Sequence, residues 1–238
     1  MGNKQLVGIV TLILLIGMFQ FVVAIPTGPD IENKGVENGS DRPATSLTTT
    51  GGTIATLVLN ATTQNPHWKA YVGNVTGTWV LEDANNYSIY EWSLSTIAGE
   101  VYVTRDGSIT WGSIECANST HISAEETIMN HTSGADDSIN NTFILTTHDP
   151  FWTGDIEFTA DECDHTLLTY VNDTTQTSTE NFQEILLYEG SSLVYTTLLE
   201  DSVQGFDLYY YDFQLIVAEN GVDEPPSSTP YYFYVELA

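Results

Sequence analysis

The chain has 238 residues, 42% apolar and 11% aromatic, with 32 acidic residues against 5 basic ones and a net charge of −27 at pH 7. The apolar content excludes a disordered chain. The charge excludes nucleic acid and anionic membrane surfaces as partners, because both would be repelled. Only 16% of residues are charged, so the imbalance reflects missing Lys and Arg as much as surplus acid.

Leu6 to Ile25 is an uncharged apolar run behind Lys4. Small residues at its end, Val22-Val23-Ala24, fit a secretory signal peptide over 1–24 cut after Ala24. The run is also long enough for an uncleaved membrane anchor, the only membrane contact the chain would then make. A pilin-type leader fits less well, since Asn3-Lys4-Gln5 lacks the small residue such a cut needs. Residues 25–52, with Pro26, Pro29, Pro43 and a Thr/Gly run, read as a flexible spacer. The rest, 53–238, is long enough to bury a core of its own.

Eight Asn-x-Ser/Thr sequons begin at Asn38, Asn60, Asn74, Asn86, Asn118, Asn130, Asn140 and Asn172. Roughly three would be expected by composition. A glycan cannot be buried, so each modified Asn must face solvent. Cys116 and Cys163 are the only cysteines. In an exported chain they would form one disulfide, worth about 4 kcal/mol through loop closure. Two separate buried thiols are the alternative. The bridge would tie the irregular segment 117–162.

In chain order, Ile54–Leu59, Trp68–Val75 and Thr78–Leu81 have strand character, with Asn74 to Gly77 as a turn. Ser88–Leu94 alternates, placing Tyr90, Trp92 and Leu94 on one face, and Val101–Thr104 follows. Ser123-Ala124-Glu125-Glu126 predicts a helix N-terminus by the capping-box pattern, with the helix ending near His131. Residues 133–141 read as loop. Phe143–Leu145, Ile156–Thr159 and Leu167–Val171 are further expected strands. Phe182–Tyr188 and Leu193–Leu199 should form a hairpin through Glu189-Gly190-Ser191-Ser192. In Leu208–Ala218, Tyr209, Tyr211, Phe213, Leu215 and Val217 share a face. Tyr231, Phe233, Val235 and Leu237 do so in the last strand. The pattern predicts a mainly β protein, an antiparallel β-sandwich or related sandwich-like architecture with one short helix.

Several segments resemble a group of archaeal secreted or cell-surface β-rich proteins of no known activity. They are Trp68-Lys69-Ala70-Tyr71-Val72-Gly73-Asn74-Val75-Thr76-Gly77, Gly99-Glu100-Val101-Tyr102-Val103-Thr104-Arg105 and Tyr232-Phe233-Tyr234-Val235-Glu236. The resemblance implies an archaeal surface location and no chemistry.

Hard carboxylate oxygens suit Ca²⁺, the one cofactor this composition suggests. Candidate ligands are Asp83 at one turn, Asp136 and Asp137 in the loop, and Asp161 and Asp164 around Cys163. None has EF-hand spacing, and solvated surface acid is the bland alternative. His121, His131, His148 and His165 lack zinc-site spacing and read as surface or loop residues. No nucleophile-elbow motif appears. Among the tryptophans, Trp79 and Trp92 alternate with apolar neighbours and read as core. Trp111 and Trp152, beside Gly112 and Gly154, are the candidate exposed rings for a ligand such as a sugar. Lys69 and Arg105 are expected to pair with carboxylates structurally.

These features point to a non-enzymatic exported surface or extracellular structural protein, adhesive or filament-forming, partnering itself or other surface components. In one specific form, Thr53–Leu59 of one subunit would complete the sheet of the next. A carbohydrate- or other ligand-binding module is the alternative, and a secreted hydrolase the third.

Overall fold

The computed structural model describes residues 25–40, 42–172, 174–175, 182–221 and 228–238. The expected leader, 1–24, lies outside them. Among the described residues the strands are β1 (Trp68–Gly73), β2 (Thr78–Glu82), β3 (Ser88–Ser93), β4 (Gly99–Thr104), β5 (Glu115–Cys116), β6 (Phe151–Thr153), β7 (Ile156–Phe158), β8 (Thr166–Leu168), β9 (Tyr170–Val171), β10 (Thr174–Thr175), β11 (Gln183–Glu189), β12 (Ser192–Leu198), β13 (Val203–Gln204), β14 (Tyr210–Tyr211), β15 (Phe213–Ala218) and β16 (Tyr232–Leu237). Two helices, α1 (Ser119–Ile128) and α2 (Ile139–Thr142), lie between β5 and β6.

A six-stranded antiparallel sheet runs β16-β4-β12-β11-β5, with β8 sharing the outer edge of β11. The β11–β12 hairpin turns through Gly190, whose φ of 50° a two-residue connection favours. Both faces of this sheet are covered, which is why Ile185-Leu186-Leu187 and Leu193-Val194-Tyr195 are apolar without a break. On one face Val101, Val103, Leu186 and Tyr195 pack with Leu215 and Val217 of β15 and with Ile122, Ile139 and Phe143 of the helical segment. On the other, Tyr102, Ile185, Leu187 and Val194 pack with Ile114, Phe151, Phe158 and Cys163. β15 itself pairs with β1, Trp68 opposite Ala218. The protein is therefore mainly β and sandwich-like, as the alternation predicts.

Cys116 and Cys163 form the expected disulfide, with Cα atoms 5.3 Å apart. The segment it closes is more regular than its sequence suggests. It holds both helices and the β6–β7 hairpin.

Four expectations need correction. The helix is capped at Asn118 and starts at Ser119, earlier than the Ser123 cap expected: Asn118 Oδ1 accepts from Thr120 N at 2.9 Å and His121 N at 3.2 Å. Glu125 and Glu126, which suggested the later box, instead bind Arg105 and the backbone N–H of Asn140. Phe143–Leu145 is no strand. Phe143 ends α2, and only Leu145 makes a bridge, to Thr166. Ile54–Leu59 is exposed and joins no sheet among the described residues. Its β-branched residues favour a strand, but a strand needs a partner and a covered face. The spacer is also not free from its start, because Thr27 exchanges two backbone hydrogen bonds with Val235 of β16, at 3.0 and 2.8 Å.

Candidate functional site

The surface departs from that of an ordinary monomer at β2–β3. Trp79 lies opposite Trp92, and Leu81 opposite Tyr90. Alternation puts these four side chains on one face of the ribbon and Val80 on the other. Every residue of both strands is exposed. Trp79 is 47% and Trp92 46% accessible, so neither is core, against the alternation-based expectation. The pattern reads correctly as two-faced, but among the described residues no layer covers the apolar face. Among the described residues β2 and β3 pair only with each other. A lone hairpin is marginal in water.

The ribbon's loop is closed by its own side chain. Asp83 Oδ1 accepts from Asn85 N at 2.8 Å and Tyr87 N at 3.0 Å, and these donors hold its pKa below the ordinary value. Its carboxylate thus serves a turn. Just upstream of β1, Ile54 and Val58 are 97% and 96% accessible. An apolar ribbon and an apolar unpaired segment therefore both lie bare.

The Trp111 and Trp152 candidates converge on a different place. Trp111 is half-buried, its ring 4.9 Å from Tyr102 and 5.1 Å from Tyr234. Trp152 remains half exposed, on β6. Beneath them sit Glu100 and Glu236, cross-strand partners of β4 and β16 that are each 6% accessible. Glu236 accepts from Gly154 N at 3.0 Å, and the Tyr102 hydroxyl lies 3.1 Å from both Glu236 Oε2 and Thr153 Oγ1. Burial, reinforced by Glu236, pushes Glu100 up to about 8, so it holds its proton at neutral pH. Burial also raises Glu236. The pair clamps the β6–β7 hairpin to the sheet. Neither the composition nor the spacing of these glutamates marks them. Only the strand register does.

The remaining metal candidates are not brought together. Asp137 accepts from Asn65 at 3.0 Å and meets His67 Nδ1 at 2.8 Å, which lowers its pKa. Asp161 caps His148 N at 3.1 Å, while Asp136 and Asp164 are exposed. Among the described residues no group of three or more His, Cys, Asp or Glu is arranged to hold a metal ion.

Two of the histidines read as surface or loop residues, His131 and His148, lie in loop but are buried. His148 Nδ1 faces the Asp149 carbonyl at 2.8 Å, and Nε2 accepts from Cys163 N at 3.0 Å. That arrangement fixes a neutral tautomer with the proton on Nδ1. His121 stacks on Tyr188, with ring centroids 3.6 Å apart.

Lys69 and Arg105 pair as expected, with Glu219 at 2.7 Å and Glu125 at 2.6 Å. All eight sequon asparagines are exposed, as a glycan requires. Asn86, Asn130 and Asn172 have positive φ at turns or a helix end, a conformation Asn tolerates. No helix among the described residues is long and apolar enough to cross a membrane. No family model, no curated protein and no solved structure matches the chain.

Proposed function

We propose that this is an exported, glycosylated cell-surface or extracellular structural protein that works by associating with itself. The observation that carries the reading is the bare β2–β3 ribbon with its Trp79/Trp92 face. Apolar rings on a hairpin that no layer covers mark an interaction surface, because such a patch is costly to leave in water. The unpaired Ile54–Leu59 segment supports the same conclusion, since an unpaired apolar strand is a template for pairing between chains. The disulfide fits an oxidising compartment, and the sequons and leader agree with export. Negative-stain microscopy of the native mature protein, with and without calcium, tests the reading. Filaments, sheets or defined oligomers are expected, and isolated particles at high concentration would refute it.

A second reading has one observation of its own. Trp152 is exposed, and the Trp79/Trp92 face is a ready ring platform for a sugar. Binding on a glycan array, lost in Trp152→Ala or Trp92→Ala, would favour a carbohydrate-binding module.

A further inference from the structure

We propose that Ile54–Leu59 of one copy adds as a third strand to a free edge of the β2–β3 hairpin of a second copy. This deepens the self-association reading and rests on it. The two elements lack complementary things. The hairpin has two strands, and three or more strands with an apolar face are what such a unit needs to be stable. The segment has strand-forming residues and no ladder among the described residues. Ile54–Leu59 matches β3, of 6 residues, in length. Its own hairpin does not take it, since Ile54 and Val58 stand almost fully in solvent.

Charge selects the occupant. The chain is strongly acidic, yet between Asp41 and Glu82 there is no Asp or Glu; His67 and Lys69 in that stretch are paired with Asp137 and Glu219, and Ile54–Leu59 itself is uncharged. The hairpin carries Glu82, Asp83 and Glu91. Two hairpins packed together would set these acids against their own copies. A strand without carboxylates approaches the same edge with no like charge of its own. Asn60, a sequon directly after Leu59, marks the end of the added strand, because a glycan there cannot enter a ladder. The contact uses different surfaces on the two copies. It is therefore head-to-tail and propagates into a filament unless a ring closes.

The test uses the full mature chain. Thr56→Pro removes a ladder N–H from a segment that no sheet among the described residues uses, so the domain is expected to keep its fold, which circular dichroism and the intact disulfide would confirm. Thr56→Pro is expected to abolish assembly. A labelled peptide of residues 52–60 is expected to bind the Thr56→Pro protein, whose hairpin edge stays free, and to lose that binding in Thr56→Pro/Ile89→Lys, which sets a charge on exposed Ile89 of β3, beside the irregularity in its pairing with β2. Assembly of Thr56→Pro at the wild-type concentration would overturn the strand contact while leaving self-association standing. If that persisting assembly were lost with Ile89→Lys, the hairpin would instead pair with another hairpin. No peptide binding would also overturn the proposal. A monomeric wild type would remove the self-association reading and the proposal with it.

Discussion

Glu100 and Glu236 face one another across neighbouring strands, buried under Tyr102 and the backbone of Gly154. In the folded protein Glu100 titrates near 8, against 4.5 for an unperturbed side chain. The native state therefore holds an extra proton between those values, and folding stability falls as pH rises from about 4.5 to 8. Glu100→Gln should flatten that decline, because an amide stays neutral throughout. Urea unfolding at a series of pH values measures it. An unchanged slope in the variant would place the titrating group elsewhere. Glu184 contributes in the same direction: it is fully buried, and burial pushes its carboxyl well up while Ile216 N donates to it at 2.9 Å.

Glu219 acts in the opposite sense. Burial opposes its ionisation, but Lys69, Thr229 and the N–H groups of Asn220 and Thr229 outweigh that and bring it to about 2. Its stabilising contribution is complete above 4.5 and is lost as pH falls toward 2. Lys69→Met should make acid unfolding begin at higher pH. Circular dichroism during acid titration would show the shift.

Arg105 and Glu125 form a two-bond pair, at 2.7 and 2.6 Å, that joins the end of β4 to α1. Glu125 is buried, so Arg105→Ala leaves its charge without compensation. A loss of about 3 kcal/mol is expected. Restoring a neutral partner through Arg105→Met/Glu125→Leu should recover part of it. Denaturant midpoints of the two variants and the wild type decide the matter.

Cys116→Ser/Cys163→Ser should cost about 4 kcal/mol, from the unfolded-state entropy released by a sequence separation of 47. Thermal unfolding with and without reductant gives the same comparison in the native chain. The larger effect should fall on the helical segment and the β6–β7 hairpin, and hydrogen exchange would locate it there.

Much of the fold was legible because central strands carry their own signature. Phe182–Tyr188 and Leu193–Leu199 are dense in apolar residues around a Gly-containing turn, and both become the paired centre of the sheet. Legibility failed where local pattern and tertiary context part. Ser123-Ala124-Glu125-Glu126 matches a helix start, yet its glutamates serve Arg105 and Asn140 across the fold. Trp79 and Trp92 alternate like core residues, and alternation reports a face without saying whether anything covers it. The Glu100/Glu236 clamp depends on register between strands far apart in sequence, which no local window contains.

Hydrogen–deuterium exchange of the native mature protein, dilute and concentrated, tests self-association through the bare elements. Amides of residues 54–59 and 78–93 are expected to exchange rapidly when dilute and to become protected on concentration, with the sheet around β11 and β12 unchanged. Rapid exchange of both segments at every concentration, or protection confined to other surfaces, would contradict it.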